Sequence, residues 1–587
     1  MEAPDIIVLA LYFVMSLAIG LWAGRGEKST HDFFLGGRRQ HWLLASISII
    51  ATEVSAVTLI AVPADSFRGD WNYLQAYAGS FLGRILIVYL LLPAFYGGAV
   101  TTVYEYLGQR FGPWTRTTAS LLFFVSRILG SGIRLLVASV ALSEVFGWNL
   151  TAVVVGSTAI AMTYATFGGI KAILWTDLFQ AALFVLGAMV TVGLLFAAIP
   201  GDWSDNLSTA YASGKMKVFT WSGGWNNEKL FWLLALNTVF TTMAAMGTDQ
   251  DLTQRMLTCP DLPKAQRSLL FNAFATFPIP CIYLLIGTLL HQYYAGLPAG
   301  APPERILETS DRIYPYYIAT AVPSGIGLRG LLVAAIFAAA MSSLASALGA
   351  LASTAVNDIY RPWRGRSTAT VRERPTVTFK RARARILSRT AKTGNPMPSD
   401  ATASSRARLG SSEAAGARIP SRTAKTGKGH SLTVVVPSRA RLGSESDEKH
   451  YLLVARLSTI FFGVVLIFVA LAFQHQDKLL WTVLKLVGLI FGGMLGIFLL
   501  GVLTRSRGHD RLNVFAMLSS VAILAGIMTL QEYRTENPAW EALRLRIMES
   551  FYVAWPWWIV IGTVWTFALA ALAPTNRRHT ADEGAAL

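Results

Sequence analysis

Two adjacent hydroxyls, Ser342 and Ser343, sit in the run GLRGLLVAAIFAAAMSSLASALGALASTAVNDIY, Gly327 to Tyr360, which carries no charge between Arg329 and Asp358. With the carbonyl of Ala339 one turn earlier they make an oxygen cluster able to replace water around a small hard cation. Ala338, Ala340, Ala345, Ser346 and Ala347 leave little bulk around them, which equally suits close helix packing in lipid. A second polar group, Thr52, Glu53, Ser55 and Thr58, interrupts LLASISIIATEVSAVTLIAVPADSF and is followed by Pro63. A carboxylate at mid-membrane costs several kcal/mol and marks function by default. A helix that stops and restarts there frees backbone carbonyls to hold an ion.

Arg127 and Arg134 lie seven residues apart in SRILGSGIRLL and so share one helical face. They serve either as structural partners of Glu53, Asp177 or free carbonyls, or as a fork for a substrate carboxylate. Asp177, in GGIKAILWTDLFQ, is either a helix-start residue or a group that attracts or releases a cation.

The elements that hold these residues must be membrane helices. Of 587 residues, 53% are hydrophobic and only 14% charged, too apolar for a soluble chain of this size. Runs of spanning length are expected at Asp5–Ala23, Trp42–Val62, Leu74–Gly98, Thr117–Val145, Leu150–Thr166, Leu174–Ile199, Leu230–Met246, Leu269–Leu290, Gly327–Val356, Tyr451–Phe473, Leu479–Leu503, Leu512–Leu530 and Phe551–Leu572, thirteen in all. The first lacks a positive n-region and a small-residue cleavage pattern, and reads as a retained helix. Alternate loops carry Lys and Arg, among them Arg25, Lys171, Arg255, Lys264 and Arg577, so the N-terminus is expected outside and the C-terminus in the cytoplasm. The seventh span repeats the pattern of the second, with Asn237, Thr238, Thr241 and Thr242 ahead of GTDQDLTQRML. Two interrupted helices leading two five-helix halves point to an inverted repeat.

The net charge of +17 does not imply nucleic acid: Arg361 to His450 holds 20 Lys or Arg and 6 Asp or Glu, most of the excess. That segment, Arg361 to Lys449, has no apolar period and repeats SRTAKTG (Ser388, Ser421) and SRARLGS (Ser405, Ser438) at an offset of 33 residues. It reads as a tandem duplication in a disordered cytoplasmic loop. It divides the chain into residues 1–360, 361–449 and 450–587. Cys259 and Cys281 fall at different depths and form no disulfide framework. A P-loop, a nucleophile elbow and metal-ligand spacing are all missing, which leaves no motif for an ATP-driven pump or an enzyme.

AAAMSSLAS at Ala338, IATEVSAVTLIAVP at Ile50, TFGGIKAILWTDLFQ at Thr166, GTDQDLTQRML at Gly247 and FGGMLGIFLLGVLTR at Phe491 together resemble the sodium:solute symporter family. The resemblance covers nearly everything outside Arg361 to Lys449. It implies an all-α, LeuT-like core of five plus five helices with one leading and two trailing helices. It also implies a multi-pass protein of the plasma membrane, of the bacterial inner membrane in particular, acting as monomer or homodimer on a small solute. The coupling ion it implies is Na+, on the carbonyls of Ala51, Val54 and Ala339 and the hydroxyls of Ser342 and Ser343.

A second cation site of some members would use Asp177 and Ser346, but Ala345 stands where that site has a serine. Glu53, Ser55, Thr58, Gln75, Arg127, Arg134 and Thr242 are the substrate-contact candidates. The sugar-contact set of the family is replaced by Thr58, Thr242 and Ala245, so a small organic anion or zwitterion is favoured over a sugar or polyol. A proton-coupled carrier, using Glu53, and a transport-inactive sensor of the same fold are the remaining alternatives.

Overall fold

The computed structural model describes residues 1–297, 310–368, 445–474, 479–532 and 538–575, which are helical almost throughout. The main elements are α1 (Ala3–Ala23), α2 (Trp42–Glu53), α3 (Ala56–Arg68), α4 (Asn72–Gly97), α5 (Pro113–Phe146), α6 (Leu150–Ala198) and α7 (Phe231–Gly247). They continue with α8 (Gln250–Leu257), α9 (Leu262–Ala295), α10 (Leu328–Thr354), α11 (Glu445–Ala472), α12 (Leu479–Leu503), α13 (Asp510–Glu532) and α14 (Pro556–Ala571).

Among the described residues eight helices are long and apolar enough to cross a membrane, or ten when α2 with α3 and α7 with α8 each count as one bent span. Thirteen spans are therefore not reached by that measure. One reason is α6, in which the fifth and the sixth expected spans follow one another across a kink at Gly169, where φ is 52° and ψ −150°, and so count as one element. The other is length: α14 has 16 residues.

Both interruptions expected from the sequence are present. Helices α2 and α3 meet at 58°, with Val54 (φ −81°, ψ 85°) and Ser55 (φ −85°, ψ 168°) leaving helical geometry. The Ser55 amide donates to the Glu53 carbonyl at 3.1 Å, so the Ala51 carbonyl loses its regular helical donor. The next turn starts with the Leu59 amide on the Ser55 carbonyl at 3.2 Å, which leaves the Val54 carbonyl ahead of it. Helices α7 and α8 meet at 62°, and the Asp249 carboxylate caps α8 by accepting from the Asp251 amide at 2.9 Å.

Helix α10 is the axis of the bundle. Its most apolar stretch is 89% buried, against 22% for α1, because its alanines and serines let α6, α1, α5 and α11 close around it. Helix α2 lies on α6, α7 on α4, and α9 on α3. The last of these contacts has no room for a side chain: a Cβ on Gly287 would stand 2.0 Å from the Pro63 carbonyl oxygen and 2.1 Å from Ser66 Oγ.

Arg361–Thr368 prolongs α10, and its Arg361 and Arg364 pair with Glu448 and Asp447 at the start of α11 at 3.6 Å and 3.3 Å. The repeats and the greater part of the basic segment, 369–444, lie outside the described residues.

Gly287→Ala is expected to cost at least about 1–3 kcal/mol through overpacking and to lower the thermal-shift midpoint of the detergent-solubilised protein. Gly156→Ala, at a site where nothing stands within 4 Å of the added carbon, should leave that midpoint unchanged or slightly higher.

Candidate functional site

The two broken helices face one another across a cavity of about 230 Å³. Thr52 and Glu53 border it from α2, Tyr77 and Ser80 from α4, and Ser126, Arg127, Gly130 and Arg134 from α5. Thr238, Thr241 and Thr242 border it from α7, with Asp249 and Asp251 at the second break. Of the substrate-contact candidates, Glu53, Arg127, Arg134 and Thr242 line this space, whereas Ser55, Thr58 and Gln75 do not. Ser55 is buried at the α2/α3 break. Gln75 instead pins the segment leading into α7, donating to the Lys229 carbonyl at 2.7 Å and accepting from the Thr220 amide at 3.3 Å.

The lining is tied together by ion pairs that charged groups in an apolar bundle require. Glu53 Oε1 meets Arg84 Nη2 at 2.5 Å, and Arg84, 1% exposed, also donates to Asn272 Oδ1 at 2.8 Å and to Ser80. Ser80 in turn accepts from Thr242 at 2.9 Å. Arg127 bridges both carboxylates of the second break, pairing with Asp249 and, at 2.9 Å, with Asp251 Oδ2. Arg134, one face along the same helix, borders the cavity and makes no ion pair or hydrogen bond among the described residues.

Beneath the cavity the hydroxyl pair of α10 divides. Ser343 Oγ donates to the Thr52 carbonyl at 3.3 Å, toward the α2/α3 break. Ser342 Oγ donates to Asp177 Oδ1 at 2.6 Å. Ala339 lies one turn before Ser343 on the same helix and is fully buried, as is Ala51. The contact Ser343 makes is between a hydroxyl and a carbonyl oxygen, the donor types a hard monovalent cation takes. A hydroxyl that donates to a carboxylate or carbonyl keeps its lone pairs for such an ion.

Asp177 has other partners. Arg255 Nη2 approaches its Oδ2 at 3.1 Å, and Ser48 donates to the same oxygen. Arg255 also donates to Ser48 Oγ at 2.7 Å, to the Asp251 carboxylate at 3.1 Å, and to Ser346. At 1% exposed it is no loop residue, so it drops out of the charges that oriented the chain.

Arg84, Asp249, Asp251, Arg255 and Ser48 were not singled out from the sequence. Their signal was present for three of them, since GTDQDLTQRML sets two acids and an arginine in eleven residues directly after an apolar span.

A continuous apolar bundle led by two broken helices, with polar groups gathered at both breaks, is a LeuT-like fold. In a solved sodium-coupled sialic acid symporter, seen substrate-bound and outward-open, the same fold aligns over 98% of this chain and 99% of that one, with a TM-score of 0.72 at 23% identity. Residues 33–383 match the sodium:solute symporter family, and the chain belongs to that family. Human sodium-coupled monocarboxylate transporter 1 is 29% identical over 362 residues, 61% of this chain and 59% of the relative. The sodium/sialic acid symporter SiaT of Proteus mirabilis (strain HI4320) is 29% identical over 354 residues, 60% of this chain and 70% of the relative. The chain thus matches about three fifths of the monocarboxylate transporter's length.

Removing one partner of a buried pair leaves an uncompensated charge, worth about 3–5 kcal/mol. Arg84→Met is accordingly expected to lower the thermal-shift midpoint by several degrees, and adding Glu53→Gln should recover part of the loss. Equal midpoints for the single and the double variant would show that the pair is not held in the folded protein.

Proposed function

We propose that the chain is a multi-pass sodium-coupled symporter of a bacterial inner membrane that carries a small organic acid into the cell. The observation that carries this is the double role of Thr52: its carbonyl accepts from Ser343, while the residue itself borders the cavity. An ion held among the oxygens of Ala51, Val54, Ala339, Ser342 and Ser343 would then share a wall with the solute. Bound sodium supplies a positive charge at the break, and the protein's part is to hold two separate helices to it. Binding of the ion fixes the α2/α3 break against α10, and that in turn fixes Thr52 and Glu53 at the cavity wall.

The solute reading rests on Arg134. An arginine inside a bundle is stable when its charge is answered, and a substrate carboxylate within the fork's reach answers it with a charge-assisted pair. Such a bond contributes about 1.5–3 kcal/mol, against about 1 for a neutral one. Arg127, by contrast, already holds two carboxylates and serves to position the second break. The pair of Glu53 with Arg84 favours sodium over proton coupling, because it commits one carboxylate oxygen to a cation of the chain itself.

The test is uptake into proteoliposomes from a panel of labelled short carboxylates, a sialic acid, amino acids, glucose and inositol, each with a sodium, lithium or proton gradient. Sodium-driven uptake of a carboxylate is expected. Sodium-driven uptake of glucose or inositol alone would assign the three threonines of α7 to a polyol instead. Ser342→Ala/Ser343→Ala should raise the sodium concentration for half-maximal uptake at least tenfold at unchanged membrane expression; an unchanged requirement would remove the ion from these hydroxyls.

Arg134→Gln should weaken the transported carboxylate at least about tenfold, equivalent to about 1.4 kcal/mol. The KM for sodium at saturating solute should move far less.

A further inference from the structure

Asp177, Ser342 and Ser346 form a polar cluster beside α10, and the resemblance implies a second sodium there in some members of the family. Two features of this chain do not fit it. Ala345, fully buried, supplies no oxygen. Two of the remaining three donors are already engaged by one group: Arg255 pairs with Asp177 Oδ2 at 3.1 Å and hydrogen-bonds to Ser346, while its other amino group holds Asp251 at 3.1 Å. Its Nε donates to Ser48, which itself donates to Asp177. Asp177 Oδ2 and the Ser346 hydroxyl are thus directed at a guanidinium whose five donors fit two carboxylates at once, while Asp177 Oδ1 accepts from Ser342 at 2.6 Å and Ser346 donates to Asp251.

Charge reinforces the geometry. Around the cavity stand four arginines, Arg84, Arg127, Arg134 and Arg255, and four carboxylates, Glu53, Asp177, Asp249 and Asp251. One sodium already leaves this buried set one positive charge in excess; a further cation beside Asp177 would raise the excess to two before any solute enters, at the cost that uncompensated charge carries in a low dielectric.

We infer that Arg255 is a cation built into the chain at the second ion position, so that one sodium, not two, binds per protein. The inference rests on the sodium-coupled reading above. It makes Arg255 a positioning residue that sets the ion count, and it gives the buried set a neutral total when one sodium and one monocarboxylate are both aboard.

The experiment is binding of 22Na+ to the purified, detergent-solubilised full chain, read as sodium per protein and as the slope of the saturation curve, with lithium and potassium as competitors. One sodium per chain at a slope near one is expected. Arg255→Lys keeps a cation in place and should still bind one, whereas Arg255→Gln with Ala345→Ser exposes Asp177 and Ser346 and should bind a second with a steeper curve. Two sodium ions on the unmodified protein overturn the inference while leaving sodium coupling intact. No binding at all overturns the sodium reading and this inference with it. Should the double variant fail to fold, the count on the unmodified protein and on Arg255→Lys decides the matter.

Discussion

The arrangement depends on one guanidinium. Arg255 reaches from the short helix after the second break to Asp177 on the long bent helix, to Ser48 beside the first break, and to Ser346 on the axial helix. Four elements remote in the chain are thereby held at one depth. Hydrophobic attraction cannot do this in a bilayer, where lipid tails solvate an apolar helix as well as another helix does. Polar and close-packed contacts set the registry, and the small residues of α10 permit it by letting the neighbours approach.

The breaks in α2 and α7 follow from the same constraint. A continuous helix satisfies all its carbonyls internally and has none to offer an ion or a capping carboxylate. By releasing the Ala51 and Val54 carbonyls at one break and seating Asp249 as a helix cap at the other, the chain exposes backbone polarity only where it is enclosed by protein. The polar residues of both breaks line one cavity.

Much of this was legible in the sequence because it is local. Ser342 beside Ser343, the polar run from Thr52 to Thr58 within apolar flanks, and the threonines before GTDQDLTQRML announce interrupted helices and an oxygen-rich axis without any tertiary information. What stayed hidden was partnership. Arg127 could be placed on a helical face but not assigned to Asp249, 122 residues away, and Arg84 pairs with Glu53 across 31 residues and two different helices. Arg255 misled for a related reason: after an apolar span a basic residue reads as a loop charge, and only the 62° bend that turns α8 back into the protein buries it. The fifth and sixth expected spans are separated by no loop, only by the non-helical kink at Gly169, so a count of unbroken helices merges what hydropathy divides.

The pairing of Arg127 with Asp249 also bears on how the chain is made. Arg127 and Arg134 leave the ribosome on a helix that must enter the membrane well before either acid of the second break exists. On insertion scales each central arginine opposes entry by about 2.5–3.5 kcal/mol. During that interval the nascent bundle has to keep both side chains at an interface, in water, or against Glu53. The amino-terminal half is therefore an unfinished object with a lifetime set by translation, and chain quality control would meet it as an exposed basic helix until Asp249 and Asp251 arrive.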